Sequence, residues 1–171
     1  MQRLRWCLLA ITPLALLSSG RAQEKQPSFS ITISAPQAVK AGAPVPLYIT
    51  VKNISGSRIS IDMAMGGAVD FDFVFNAQDS EGKKAPETSF YKEVQGKDPH
   101  IVRFARLHIP NLLAPGETLT FNTDLTRLFD FKPGKYTIQL NRPQSSVFVP
   151  SQPTPPGPVV TSNIIDLTVT P

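Results

Sequence analysis

Few residues in this chain have the chemistry expected of a catalytic centre. His100 and His108 are the two candidate bases for a hydroxyl or thiol nucleophile, and no Gly-x-Ser-x-Gly motif occurs. If residues 101–109 form one regular strand, the two imidazoles lie about 25 Å apart at about 3.3 Å per residue. They then cannot bind one metal ion, and neither histidine has the ligands that a metal site requires.

Carboxylates form the best group of candidate oxygen ligands. Asp70 and Asp72 alternate along one segment, and Asp79 and Glu81 follow in a turn. Calcium takes six to eight oxygens, many of them from a loop, and the Asp-x-Asp-x-Asp-Gly pattern is missing. We therefore expect the aspartates to keep the outer face of a Phe-rich strand hydrated, and we predict no metal and no cofactor. We predict no enzyme; a hydrolase that uses surface carboxylates is an alternative.

Aromatic side chains are the remaining functional signal. Phe90 and Tyr91 lie between polar segments, and Phe148 lies within a proline-rich segment, residues 142–158. Aromatic groups on loops often anchor partners, so these three residues are the predicted binding residues. The alternative is that they pack into the rim of the fold and cover its end.

The first 22 residues are typical of a secretory signal peptide. Arg3 and Arg5 precede an apolar run over residues 6–17, and Gly20-Arg21-Ala22 supplies small residues at a cleavage site. The run is short for a membrane span, although a retained anchor is the alternative. We predict a secreted or periplasmic protein with no membrane span after cleavage, and cleavage also removes Cys7, the single cysteine.

The charge of the predicted mature chain is close to neutral. Three of the 17 basic residues, Arg3, Arg5 and Arg21, belong to the leader, which leaves 14 positive against 13 negative side chains. A net charge of +1 does not indicate binding to nucleic acid or to an anionic membrane, which favour a strongly basic surface. Residues 23–171 have the length of a single domain.

Apolar residues alternate with polar ones through most of the chain, which predicts half-buried strands. Asp124–Asp130 has a cap residue and helix-like spacing instead. About nine short strands predict two packed antiparallel sheets, and a closed barrel is the alternative. The proline-rich residues 142–158 cannot join a sheet and form a loop. The predicted strands are 29–34, 45–52, 59–63, 69–75, 88–94, 101–109, 118–121, 135–140 and 164–169.

Two turn motifs carry a family resemblance. Pro133-Gly134-Lys135-Tyr136 resembles a passage of immunoglobulin-like and fibronectin-like domains, in which the tyrosine bonds back to the backbone as a tyrosine corner. Together with Leu113-Ala114-Pro115-Gly116-Glu117 and the 71–75 segment leading to Gly82-Lys83, it resembles the bacterial intracellular proteinase inhibitor domain. The resemblance covers about residues 45–141 and implies an immunoglobulin-like β-sandwich. The chain departs from that family in its export signal, its lack of tryptophan after residue 22 and its proline-rich loop.

These observations lead to one predicted function and one alternative. We expect an exported, non-catalytic immunoglobulin-like module that binds a protein or a surface polymer through its end loops, residues 86–99 and 142–158. The alternative is a proteinase inhibitor that presents residues 145–153 to a protease as an extended, proline-rich loop.

Overall fold

The computed structural model describes residues 26–64, 69–97, 108–143 and 158–171. These ranges contain ten strands, one α-helix and two short 3-10 helices, so the predicted all-β class is confirmed. None of their helices has the length and apolarity needed to cross a membrane. The predicted signal peptide, residues 1–22, lies outside the described residues. The strands are β1 Phe29–Ser34, β2 Ala38–Lys40, β3 Pro46–Asn53, β4 Ile59–Ala64, β5 Val74–Asp79, β6 His108–Leu113, β7 Thr118–Asp124, β8 Gly134–Pro143, β9 Val159–Thr161 and β10 Ile165–Thr170.

Hydrogen bonding joins these strands into three sheets. One sheet has the order β1-β3-β7, a second has the order β2-β10-β8-β5 with β9 beside β8, and β4 pairs with β6. Most pairs are antiparallel, as predicted, but β2 runs parallel to β10. The described strand pairs do not close into a ring.

The β4-β6 pair continues the β3-β7 pair along the same two stretches of chain. The register Lys52↔Thr118 on one side is followed by Ile59↔Leu113 on the other. Asn53 fills the junction, where its side-chain amide donates to the carbonyls of Ser57 and Leu113 at 2.8 and 3.0 Å. Because Asn53 is only 1 % exposed, these bonds replace the ladder hydrogen bonds that the bend interrupts.

The predicted alternation places one hydrophobic core between the sheets. Leu47, Ile49 and Val51 on β3 are fully buried, and so are Ile138 and Leu140 on β8. These side chains belong to one cluster to which strands of all three sheets contribute. The arrangement is compatible with a β-sandwich, in which each sheet turns one apolar face inward.

The predicted strand over residues 69–75 is wrong. A 3-10 helix, Val69–Phe71, occupies its first half, and β5 begins only at Val74. The backbone turns because the N–H groups of Asp72 and Phe73 both donate to the carbonyl of Val69. The expectation that Asp70 and Asp72 would lie on a hydrated outer face is also wrong, since their side chains are 2 % and 4 % exposed.

The predicted strand over residues 88–94 is also wrong. This segment forms a helix, α1, Ser89–Val94, whose first turn is capped by Thr88. The Thr88 hydroxyl oxygen accepts a hydrogen bond from the N–H of Tyr91 at 3.1 Å. Tyr91 and Val94 are three residues apart and share the buried face, which is the spacing of a helix.

Three smaller differences concern strand ends and short strands. The strand predicted over residues 101–109 falls largely outside the described residues, and β6 runs from His108 to Leu113. Two unpredicted strands, β2 and β9, have only three residues each, too few for alternation to be recognised. The expectation that residues 142–158 cannot join a sheet is wrong at Arg142 and Pro143, because the end of β8 pairs there with β9. The helical segment predicted over Asp124–Asp130 is confirmed as a 3-10 helix, Leu125–Arg127, with Asp124 as its cap.

The predicted tyrosine corner is confirmed. The Tyr136 hydroxyl donates to the carbonyl of Lys132 at 3.0 Å and accepts from the N–H of the same residue at 3.1 Å. Its ring packs edge-on against Phe131, with 4.9 Å between ring centroids. These contacts fix the turn that leads into β8.

Candidate functional site

An open cavity of about 260 Å³ lies at one end of the sheets. We call it the loop cavity. It is formed where β2 and β10 finish, where β3 begins, and where the chain passes from β7 to β8. Eleven residues line it: Val39, Lys40, Gly42, Ala43, Val45, Thr88, Thr126, Phe129, Asp130, Phe131 and Val169.

The floor of the loop cavity is apolar and the rim is polar. Val45, Phe129, Phe131 and Val169 are buried members of the hydrophobic core. The polar residues of the lining are Lys40, Thr88, Thr126 and Asp130. An apolar floor with a few polar groups at the edge is the usual composition of a binding pocket.

Backbone hydrogen bonds hold the wall formed by residues 40–45. The N–H of Ala41 donates to the carbonyl of Thr170 at 2.8 Å, and that of Ala43 donates to the carbonyl of Lys40 at 3.0 Å. Gly42 has a φ of 78°, a conformation that favours glycine, so it permits the tight turn. The sequence places Lys40-Ala41-Gly42-Ala43-Pro44 in a turn, but nothing in it indicates the cavity behind.

Asp124 holds the opposite wall. Its Oδ1 accepts from the N–H groups of Val45 and Thr126 at 2.9 and 3.0 Å and from the Thr126 hydroxyl at 2.8 Å. Partial burial favours the neutral acid, but these donors and the nearby Arg127 outweigh it, so the pKa of Asp124 lies below its ordinary value. The carboxylate is therefore ionised at neutral pH, and it ties the start of β3 to the end of β7.

The acceptors around the rim have partners, whereas Lys40 has none among the described residues. Asp130 receives the Lys132 ammonium at 2.8 Å. The hydroxyl hydrogens of Thr88 and Thr126 go to the carbonyl of Arg127 and to Asp124. The ammonium group of Lys40 forms no hydrogen bond or ion pair within the described ranges, so it is available to a partner.

Phe90, a predicted binding residue, is close in sequence to this rim. It is half-buried, and the guanidinium carbon of Arg127 lies 4.8 Å from its ring centroid. Phe90 follows the lining residue Thr88 by two positions, and Arg127 directly follows the lining residue Thr126, but neither side chain belongs to the lining. The predicted binding role of Phe90 stays a prediction.

Tyr91, the second predicted binding residue, is buried inside the fold at 1 % exposure. Its hydroxyl accepts from the N–H of Phe75 at 2.8 Å and donates to the carbonyl of the same residue at 3.2 Å. Tyr91 thus bonds to the backbone of β5 along the edge that does not pair with β8. Residues 83 and 85 form further backbone hydrogen bonds to β5. The burial of Tyr91 agrees with the alternative that the sequence left open, in which the aromatic residues pack into the fold.

The environment of Tyr91 changes its acidity. Burial, with smaller contributions from Glu87 and Asp70, raises the pKa of Tyr91 to about 12, although the Phe75 N–H acts in the other direction. The hydroxyl therefore stays protonated and keeps donating to β5 over the physiological range. Phe148, the third predicted binding residue, lies outside the described residues.

Residues 69–73, which we call the aspartate segment, have their carboxylates turned inward. Asp70 accepts from the Thr123 hydroxyl at 2.6 Å and lies 3.3 Å from Nη1 of Arg127. Asp72 accepts from the N–H of Ala64 at 2.8 Å. Both carboxylates therefore tie the segment to neighbouring strands.

Two basic groups complete the surroundings of Asp72. His108 Nε2 lies 3.6 Å from Asp72 Oδ1. Arg142 donates to the carbonyl of Asp62, and its guanidinium carbon lies 5.2 Å from the ring centroid of Phe73. Burial lowers the pKa of Arg142, while the nearby Asp72 and Asp62 oppose that shift. His100, the other histidine, lies outside the described residues.

This arrangement of acids does not form a metal centre within the described ranges. No group of three or more His, Cys, Asp or Glu side chains comes together there closely enough to hold a metal ion. Asp79, one of the acids considered from the sequence, accepts from the N–H groups of Glu81 and Lys83 and so closes the turn after β5. Three carboxylates of the sequence-predicted cluster, those of Asp70, Asp72 and Asp79, are thus used in local structure.

Comparison with known proteins gives no relative from which a function could be transferred. No family model matches this chain, and a search of curated proteins also finds no match.

Proposed function

We propose that this protein is an exported, non-catalytic immunoglobulin-like module that binds a protein or a surface polymer through the loops at one end of its sheets. The observation that carries the proposal is the loop cavity, an open site with an apolar floor, whose lining includes Lys40, a cation with no side-chain partner among the described residues. Binding sites in β-proteins commonly lie in such loops, held by a rigid scaffold of strands.

The fold supports the immunoglobulin-like part of the proposal. Strands of all three sheets contribute to one core, which is compatible with a β-sandwich, and the turn before β8 has the tyrosine corner that occurs in immunoglobulin-like domains. The proposed likeness rests on this corner and on the shared core.

The uses of the reactive side chains support a non-catalytic role. Asp70, Asp72 and Asp124 each accept hydrogen bonds that hold one segment to another. Tyr91 has a raised pKa and bonds to the backbone of β5. A group committed to such bonds is poorly placed to exchange protons with a substrate. Export is proposed from the signal-like residues 1–22.

A filled cavity tests the proposal. Ala43 is half-buried in the wall, and Ala43→Phe would place a ring in the loop cavity without removing a core side chain. Partners captured from the envelope of the exporting cell by cross-linking to the mature protein are expected to be lost with this variant.

Thr120→Phe is the matched control, because Thr120 is exposed in the middle of β7. It should capture the same partners as the wild type, and both variants should unfold at the wild-type temperature. Equal capture by Ala43→Phe and the wild type would remove the end-loop site from the proposal.

The inhibitor alternative depends on residues 145–153, which lie outside the described residues. Titration of secreted serine proteases with the purified protein tests it independently, and tight inhibition that survives Ala43→Phe would favour it.

A further inference from the structure

The loop cavity is large enough to accept a ring. An engineered apolar cavity of about 150 Å³ binds benzene, and the space here is about 260 Å³. Phe129 and Phe131 in the floor have their own rings 5.7 Å apart between centroids, so an incoming ring would meet aromatic as well as aliphatic surface. An apolar side chain that enters this open space exchanges part of its contact with water for contact with these rings.

The walls of the loop cavity are fixed by hydrogen bonds to the scaffold. The Ala41 N–H is bonded to Thr170 on one side, and Asp124 bridges Val45 and Thr126 on the other. A site that is already shaped loses little conformational freedom on binding. The favourable contact with an apolar group is therefore not cancelled by ordering of the loops.

The polar groups at the mouth favour an anion. The Asp124 carboxylate is bonded to three donors, and Asp130 is paired with Lys132. Arg127, the residue after the lining residue Thr126, is paired with Asp70 but its side chain is still 56 % exposed. Lys40 has no partner in the described part of the chain, so a carboxylate beside the apolar group would find a free ammonium donor.

We propose that the loop cavity receives one aromatic side chain of an acidic partner segment, with a carboxylate next to that side chain pairing with Lys40. This proposal rests on the proposed function and names the chemistry of the partner. The aromatic ring supplies the buried contact, and the carboxylate sets the preference for acidic over basic sequences.

Titration of short peptides into the ¹⁵N-labelled mature protein tests this directly, with the backbone amide chemical shifts measured by NMR. The probe is a capped Gly-Glu-Phe-Glu-Gly peptide, compared with versions in which Lys replaces both Glu residues or Ala replaces Phe. The acidic peptide should give saturable shifts at residues 39–45 and 126–131. The basic peptide should bind about fivefold more weakly, as expected for an exposed charge pair, and the alanine peptide should give no saturable shift.

Two variants test the charge pair with Lys40 and the aromatic contact in the loop cavity separately. Lys40→Glu should reverse the preference, so that the basic peptide binds more tightly, and Ala43→Phe should abolish binding of both. The control Lys52→Glu, at an exposed position on β3, should keep the wild-type order. Shifts confined to other surfaces, no saturable shift with the acidic peptide, or an unchanged preference in Lys40→Glu would overturn the inference.

These outcomes separate this inference from the proposed function. If the peptides behave as expected but no envelope partner depends on the loop cavity, the proposed function fails and the side-chain site stands. If a partner is lost with Ala43→Phe but the acidic peptide does not bind, the chemistry inferred here is wrong and the end-loop site stands.

Discussion

The aspartate segment and the loop cavity differ in how their charged groups are buried and paired. In the aspartate segment, Asp70 and Asp72 are almost completely buried and each has donors from neighbouring elements. At the loop cavity the acids also have donors, but Lys40 is left without a described partner beside an open apolar floor. A buried charge requires partners for the fold to be stable, whereas an exposed one does not. The difference indicates which charges serve the fold and which remain available for binding.

The largest loss of stability should come from removing a buried carboxylate of the aspartate segment. Asp70→Ala removes the partner of both the Thr123 hydroxyl and Arg127, so we expect a loss of about 2–3 kcal/mol in the free energy of unfolding. The value is at the lower end for a buried pair because Arg127 is half-exposed. Urea unfolding of the mature protein measures it.

Lys40→Ala is the matched comparison at the loop cavity. It removes a charge without a described partner and should change the free energy of unfolding by less than about 0.5 kcal/mol. A similar loss for both variants would contradict the distinction between the two regions.

A smaller effect is expected at the edge of β5. Tyr91→Phe removes the hydroxyl that bonds both backbone groups of Phe75, at a cost of about 1–2 kcal/mol near neutral pH. Tyr48→Phe, at an exposed tyrosine, should cost almost nothing.

The same substitution should change the alkaline limit of stability. In the unfolded chain Tyr91 ionises near pH 10, whereas in the fold its pKa is raised to about 12. The stabilisation from the protonated hydroxyl is therefore complete below pH 10 and is lost as the pH rises towards 12. The stability of the wild type should fall more steeply over this interval than that of Tyr91→Phe, and parallel curves would contradict the assignment.

The sequence predicts the strands well where side-chain alternation is sufficient. Residues in β1 and β3 alternate between core and surface as predicted, and the Pro133-Gly134 turn correctly predicts the bond from Tyr136 to Lys132. The segments 69–75 and 88–94 are mispredicted because partners distant in sequence determine them. The buried carboxylate of Asp70 accepts a hydrogen bond from Thr123, which lies 53 positions away in the sequence. The side chain of Tyr91, on α1, bonds to the backbone of Phe75 on β5.

The candidate site could be predicted only in fragments. The turn at residues 40–44 and the cap at Asp124 are both recognisable in the sequence, but the loop cavity needs Val45, Phe129 and Val169 side by side. Those residues lie in three separate stretches of the chain, and only the packing of the sheets brings them together. Of the predicted aromatic anchors, Phe90 is half-buried and contacts Arg127, whereas Tyr91 is buried.

The smallest expected effect concerns the wall of the loop cavity. The pKa of Asp124 is lowered in the fold, so its contribution to stability is present above the unfolded value of about 3.8 and is lost as the pH falls further. The advantage of the wild type over Asp124→Ala should shrink below about pH 4. Unfolding curves measured between pH 6 and pH 2 test this, and a constant difference would show that the hydrogen bonds do not depend on the charge.

The central claim is that the loop cavity is where this protein meets its partner. A photo-reactive benzoylphenylalanine at position 41, an exposed residue between the lining residues Lys40 and Gly42, tests it most directly without filling the loop cavity, and the same group at position 120 on β7 is the comparison. We expect a discrete cross-linked species from position 41 in the exporting cell and none from position 120. The same product from both positions, or a product from position 120 alone, would contradict the claim.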